Sequence, residues 1–153
     1  MSQHTIFETT FTAFAFLSQI LLISNFAAFR WKPRLQQQWG WIIYAAALIA
    51  LPLGILFWVN GQAWYWWLAF MLYTIWAVFG FVVDILRPIN WRIPIRWPIF
   101  LPYLILYIAT QFAFWIPLWF VWPGFWILYA VLYIFNTVLN ISTHSRPDPS
   151  SVR

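Results

Sequence analysis

The sequence predicts an all-α integral membrane protein built as a bundle of five transmembrane helices. Hydrophobic residues make up 64% of the 153 positions and charged residues 7%, against roughly 45–50% and about 25% in soluble domains. The chain also holds five apolar segments of about 20 residues, the length that a helix needs to cross about 30 Å of hydrocarbon. Hydrocarbon must therefore surround most of the folded chain, because so few charges could not solvate its surface in water.

Each predicted helix is a continuous apolar segment that is too long for a strand. The five spans cover residues 7–29, 41–59, 64–86, 97–117 and 122–141. Asn60-Gly61-Gln62 forms a polar turn after the second span, and Pro117 and Pro123 break the long apolar run before the fifth. Residues 1–141 then make one transmembrane domain, and the Ser- and Pro-containing residues 142–153 make a flexible polar tail.

The distribution of positive charge predicts the orientation of the bundle. All eight basic residues fall in three short segments, which five spans bring to one face: Arg30, Lys32, Arg34, Arg87, Arg92, Arg96, Arg146 and Arg153. The positive-inside tendency places that face and the carboxyl terminus in the cytoplasm and the amino terminus outside. We expect a bacterial cytoplasmic membrane and contacts with membrane lipids. Short separated clusters do not form the continuous basic patch that nucleic-acid binding requires.

Several kinds of chemistry are excluded by composition and placement. There is no cysteine, so disulfides and thiol catalysis are absent. His4 and His144 lie in opposite tails, so no His-ligated haem is expected within the membrane. Lys32, the sole lysine, lies in a loop and leaves no lysine for a retinal Schiff base. No metal-ligand cluster or catalytic motif occurs, so we expect no resident metal and no enzyme.

Polar and aromatic side chains recur at helical spacing in the last span. Tyr129, Tyr133, Asn136 and Asn140 follow one another at steps of four, three and four, so they share one face. That face should point inward, because unpaired amides and hydroxyls are costly in hydrocarbon. With Trp76 near the middle of the third span, these residues are the predicted ligand contacts. Interhelical hydrogen bonding that only holds the bundle together remains the alternative.

A second set of polar residues lies toward the basic face. Asn25, Asp84, Arg87 and Tyr103 fall in the predicted cytoplasmic half, where they form a polar cluster or line a cavity open to that side. Asp84 is either an intramembrane carboxylate on a transport path or one half of an ion pair with Arg87, three residues on.

A small five-span chain with 14 tryptophans resembles the tryptophan-rich sensory protein family, also called translocator proteins. Tyr129 followed by Leu139-Asn140 is similar to that family's Pro-Tyr…Leu-Asn pattern, with Leu128 in place of proline. Thr74-Ile75-Trp76 is similar to its Asn-Thr-Leu-Trp segment, with Tyr73 in place of asparagine. The first loop, residues 30–39, is shorter than the family's. The resemblance implies a non-enzymatic bundle that binds porphyrins, sterols or similar flat apolar molecules.

The expected function is non-catalytic binding of a porphyrin- or sterol-like hydrophobic ligand in an aromatic and amide-lined interior. One alternative is an accessory structural subunit of a larger membrane complex, with membrane-protein partners or copies of itself. Another is a small channel or transporter that uses Asp84.

Overall fold

Helices account for nearly all of the residues that the computed structural model describes, which are 3–87, 89 and 94–144. No strand occurs in these ranges. The elements, in chain order, are α1 Gln3–Trp31, α2 Pro33–Trp39, α3 Ile42–Ala45, α4 Ala47–Val59, α5 Trp64–Phe81, a π-helical turn Val82–Leu86, α6 Trp97–Val121 and α7 Pro123–His144.

Within the described ranges, five helical segments are long and apolar enough to cross a membrane, which confirms the predicted number. They are Thr5–Trp31, Arg34–Val59, Trp64–Leu86, Trp97–Val121 and Pro123–Ser142. The second segment begins seven residues before the predicted position 41, because α2 and α3 lead into α4 with little interruption. Helix is the expected conformation, since it pairs every interior backbone N–H and C=O within the segment.

The break between the last two long helices lies at Trp122 rather than at Pro117. Pro117 is buried inside α6, which continues to Val121. An interior proline deletes one hydrogen bond to the carbonyl four residues earlier, a loss that membrane helices tolerate when packed against neighbours. Trp122 is extended, with φ −166° and ψ 127°, because the ring of Pro123 disfavours a helical conformation in the residue before it. Pro123 then opens α7, where its missing N–H is not needed.

The basic loop and the tail are described only in part. Residues 88 and 90–93 of the loop before α6 lie outside the described residues, as do residues 145–153 of the predicted polar tail. The helix α7 continues three residues beyond the predicted end at 141.

The long helices pack in a closed arrangement. Helix α4 packs against α5, α5 against α6, α6 against α7 and α7 against α1, and α1 also contacts α2, α3 and α6. The rings of Phe7 and Phe57 join the start of α1 to the end of α4, with centroids 4.8 Å apart. Tyr65 and Phe120 join the start of α5 to the end of α6 at 5.7 Å. Consecutive long helices therefore run in opposite directions.

Aromatic rings fill the bundle between α1, α5 and α6. The ring of Phe11 is fully buried and meets Trp66 at 4.6 Å, Phe114 at 5.4 Å and Phe70 at 5.7 Å between centroids. Edge and tilted contacts of this kind add about 0.5–1.5 kcal/mol per pair beyond burial. Such packing matters most among apolar surroundings, where dispersion replaces the hydrophobic effect as the force between helices.

The described basic residues lie at the end of the bundle opposite to Phe7 and Phe57. Arg30, at the end of α1, donates from Nη1 to the carbonyl of Ser142 near the end of α7, at 3.0 Å. Tyr44 of α3 donates to Asp84 in the π-helical turn after α5. The first bond joins the carboxyl ends of α1 and α7, and the second joins α3 to the turn after α5. We call this the basic end, and its described basic residues are Arg30, Lys32, Arg34, Arg87 and Arg96.

Gly80 on α5 lies directly against the ring of Tyr44 on α3. A Cβ added there would lie 2.5 Å from a carbon of the Tyr44 ring. The ring has little room to move, because its hydroxyl is bonded to Asp84 at 2.5 Å and its centroid lies 6.0 Å from that of the Trp76 ring, which packs against it at a tilt.

We predict that Gly80→Ala destabilises the protein by about 1–3 kcal/mol, the usual range for overpacking. The measurement is reversible unfolding in mixed detergent micelles. Val78→Ala on the same helix is the control, because Val78 is 54% exposed and such surface changes stay within about 0.5 kcal/mol. Equal stability of the two variants would contradict the close contact between α3 and α5.

Candidate functional site

Three amides from three helices meet in the bundle interior. Gln19 of α1 donates from Nε2 to Oε1 of Gln111 on α6. Asn136 of α7 donates from Nδ2 to Oε1 of Gln19 at 3.2 Å. All three side chains are almost completely buried. We call these residues, with Tyr107 and Tyr129, the amide network.

Two tyrosine hydroxyls complete the amide network. Tyr129 donates to Oε1 of Gln111 at 3.1 Å, and Asn136 donates to the hydroxyl of Tyr107 at 3.1 Å. Two predicted ligand contacts, Tyr129 and Asn136, are therefore joined through Gln19 and Gln111. Most of their polar atoms are bonded to other side chains, although Oδ1 of Asn136 is buried without a hydrogen-bond partner.

Trp76 lies in a cage of tyrosines and is 1% exposed. Its ring centroid is 5.6 Å from Tyr73, 5.9 Å from Tyr103, 6.0 Å from Tyr44 and 6.1 Å from Tyr107. The indole Nε1 is buried without a hydrogen-bond partner. Tyr107 belongs to both groups, so the cage and the amide network form one continuous core.

The remaining predicted ligand contacts lie farther along α7. Tyr133 is partly buried, and its ring centroid is 6.3 Å from that of Phe112 on α6. Asn140 is partly buried one turn beyond Asn136 and makes an interaction of its own. The structure thus keeps the predicted stripe on the side of α7 that meets its neighbours, and its ligand-binding role stays a prediction.

Asp84 lies beside α3. Its Oδ2 accepts a hydrogen bond of 2.5 Å from Tyr44, and the adjacent carbonyl of Ile43 accepts one of 2.7 Å from Tyr73. These two bonds clamp α3 to α5 and its π-helical turn. Arg87 is exposed after the turn, with its backbone N–H donating to Val82 at 2.8 Å. Transport through Asp84 and pairing with Arg87 stay predictions.

A pocket of about 370 Å³ opens at the basic end between α1, α2 and α3. That volume lies within the range of about 300–1,000 Å³ typical of small-molecule sites. We call it the α1–α3 pocket. Its lining is mostly apolar, with polar groups from α1 and α2: Leu21, Ser24, Asn25, Ala28, Leu35, Gln36, Trp39, Gly40, Ile42 and Ile43.

Asn25 contributes an unpaired hydrogen-bond acceptor next to this pocket. Its Oδ1 is buried and has no hydrogen-bond partner, a situation that costs about 1–3 kcal/mol when nothing else binds the atom. A Cβ at Gly40 would lie 3.3 Å from this oxygen and 2.7 Å from Nε2 of Gln36. The absence of a side chain at Gly40 thus lets the end of α2 close over Asn25.

The predicted polar cluster is distributed over neighbouring places at the basic end. Asn25 lines the α1–α3 pocket, Asp84 bonds Tyr44, and Tyr103 packs on Trp76. Tyr44 connects the last two, because it contacts both Asp84 and Trp76.

Sequence reasoning missed the part of the pocket that α2 contributes. Residues 30–39 read as a short loop between spans, whereas Pro33–Trp39 is helical and places Gln36 and Trp39 in the pocket wall. Pro33 at the first helical position and the following run without Gly or Pro were signals of this turn of helix. Gln19 and Gln111 were visible as isolated amides in apolar spans, yet nothing in the sequence paired them.

No group of three or more His, Cys, Asp or Glu side chains that could hold a metal ion occurs among the residues described here. The polar chemistry of both the amide network and the pocket comes from amides and hydroxyls, which orient ligands by hydrogen bonding.

Comparison with protein-family models, with characterised proteins and with solved structures finds no match to this chain. The resemblance to the tryptophan-rich sensory proteins therefore stays a prediction. Function must be argued from the geometry of this chain's own side chains.

We predict strong coupling between Gln19 and Gln111. Either single substitution to leucine leaves buried polar atoms unpaired and should destabilise the protein by about 1–3 kcal/mol. The Gln19→Leu/Gln111→Leu double variant should lose less than the sum of the two, with a coupling of about 0.6–1.7 kcal/mol. Reversible unfolding in mixed micelles measures all four proteins. Simple additivity would contradict the bond between the two amides.

Proposed function

We propose that this chain is a non-catalytic multi-pass membrane protein that binds a hydrophobic small molecule in the α1–α3 pocket. The observation that carries the proposal is a mostly apolar pocket of about 370 Å³ whose lining includes Asn25, a residue with a buried Oδ1 that has no hydrogen-bond partner. Small-molecule sites combine such apolar walls with a few polar groups that fix orientation. The ligand would donate one hydrogen bond to Asn25 and bury its apolar body against the neighbouring side chains.

The wall of the pocket suits a flat, largely apolar molecule such as a sterol or a porphyrin. The pocket lining includes the half-exposed indole of Trp39 and the aliphatic side chains of Leu21, Ile42 and Ile43. An aromatic face combines a large contact area with specific stacking geometry. The resemblance to the tryptophan-rich sensory proteins implies a porphyrin- or sterol-like ligand, and we keep that class. We place the ligand in the α1–α3 pocket at the basic end, and not at the contacts predicted on α7 and at Trp76.

The amide network and the tyrosine cage serve this proposal as scaffold. A ligand between Tyr129 and Asn136 would have to break the bonds that join Gln19 to Gln111 and to Asn136. The network holds α1 against α6 and α7, and it lies six residues before Asn25 on α1, about 9 Å along the helix axis. It thereby fixes the depth and direction in which Asn25 is presented.

We further propose that the basic end faces the cytoplasm of a bacterial cell, with the amino terminus outside the cytoplasmic membrane. Support comes from the charge asymmetry. The described basic residues gather at one end, while the turn at residues 60–63 and the junction at Trp122 carry no lysine or arginine. The α1–α3 pocket would then be loaded from the cytoplasmic side.

We predict that Asn25→Leu weakens the binding of a sterol or porphyrin about tenfold or more, because the ligand's donor loses its acceptor. Quenching of tryptophan fluorescence in detergent-solubilised protein measures the affinity. Asn60→Leu is the matched control, because Asn60 is exposed at the other end and its side chain donates to the carbonyl of Leu56 in its own helix. The proposal fails if both variants bind like the original protein.

We predict opposite accessibility for cysteines placed at the two ends of this cysteine-free chain. Ala63 and Gln38 are both exposed, at the turn before α5 and on α2 respectively. In intact bacteria an impermeant maleimide should label Ala63→Cys at once and Gln38→Cys only after the membrane is opened. Labelling of both positions from the same side would overturn the orientation.

A further inference from the structure

A second concavity lies next to the α1–α3 pocket and shares the lining residue Leu35 with it. It has a volume of about 500 Å³ and is lined by Lys32, Arg34, Leu35 and Gln38. We call it the basic concavity. Leu35 borders both spaces, so one molecule that reaches past this side chain can occupy both.

The basic concavity presents two cations and no acidic lining residue. Lys32 and Arg34 are both exposed and lie two positions apart at the start of α2. The acidic side chains of the described residues lie elsewhere: Glu8 is on α1 toward the opposite end, and Asp84 is bonded to Tyr44. An anion in the concavity would meet a positive field, and Arg34 could bind it through two parallel N–H groups.

The aromatic residues around α2 indicate the depth of this region. Three tryptophans around α2 are about half exposed or more: Trp31, Trp39 and Trp41. Trp31 precedes α2, Trp39 is its last residue and Trp41 follows it, so they lie on both sides of the basic residues along the chain. Tryptophan settles at the headgroup level of a bilayer, with its ring in the apolar layer and its N–H toward water. The basic concavity is thus at the level of lipid phosphates, and the α1–α3 pocket extends from it toward the acyl chains.

We infer that the molecule bound in the α1–α3 pocket is an anionic lipid with a phosphate headgroup. This inference rests on the ligand site proposed above, and it names an acyl lipid with a charged headgroup as the occupant in place of a sterol or porphyrin. The phosphate lies against Lys32 and Arg34, an O–H of the headgroup or glycerol donates to Oδ1 of Asn25, and the acyl chain fills the pocket. Basic pockets between membrane helices are a known means of recognising anionic headgroups.

The test uses the full chain in an uncharged detergent and compares three probes. Lysophosphatidylglycerol carries the phosphate, monoacylglycerol of the same chain length lacks it, and inorganic phosphate lacks the lipid. We expect lysophosphatidylglycerol to bind at least tenfold more tightly than monoacylglycerol, with an affinity that falls as salt is raised. The Lys32→Gln/Arg34→Gln double variant should lose about 25-fold for lysophosphatidylglycerol, about fivefold per cation, and nothing for monoacylglycerol.

A matched double variant at the same end controls for general surface charge. Arg87→Gln/Arg96→Gln removes the same charge from residues outside the concavity and should leave both affinities unchanged. An equal loss in this control would show a diffuse field and overturn the inference. So would displacement of the lipid by inorganic phosphate at its own binding concentration, which would show a free-phosphate site.

The outcomes separate this inference from the proposed function. If both lipids bind equally and Asn25→Leu weakens both, the pocket is a ligand site without charge selectivity, and only the inference fails. If neither lipid binds and sterols and porphyrins do not bind either, the proposed function fails with it.

Discussion

The hydrogen bond between Gln19 and Gln111 is the interaction on which the arrangement of the bundle depends. Amides within apolar helices must pair with one another, because their surroundings offer no other partners. Through Asn136, Tyr107 and Tyr129 the same amides tie α1 to both α6 and α7. Sliding any of these helices by one residue would separate donors from acceptors, so the network fixes their register where ring packing alone would tolerate small shifts.

The two polar regions of the molecule, the amide network and the α1–α3 pocket, differ in the space around them. In the amide network and the adjoining cage around Trp76, side chains fill the space, and they enclose the unpaired Oδ1 of Asn136 and Nε1 of Trp76. At the basic end, by contrast, Asn25, whose Oδ1 is also buried and unpaired, lines an open pocket between α1 and α2. The first region has the properties of a scaffold and the second those of a site. Gly40 belongs to the second region, because the absence of a side chain there leaves room for α2 to lie over Asn25.

Sequence reasoning could predict the helices because apolar length is a local property. It could also predict that Tyr129 and Asn136 face inward, because helical periodicity requires only spacing. It could not predict that their partners are Gln19 and Gln111, since pairing depends on the register between helices that are distant in sequence. The predicted end of α6 at Pro117 is wrong, because packing against neighbouring helices outweighs the tendency of proline to end a helix. The segment 33–39 is short and polar, so the presence of a long apolar span could not predict that it folds as a helix against α1.

If Asn25 marks a ligand site at the basic end, a structure of the protein extracted from its own membrane with native lipids should show it. We expect density for one elongated or flat molecule between α1 and α2, with a polar atom within hydrogen-bond distance of Oδ1 of Asn25. A pocket that is closed by rotation of Gln36 onto Asn25, with a bound molecule instead displacing side chains around Trp76, would contradict it.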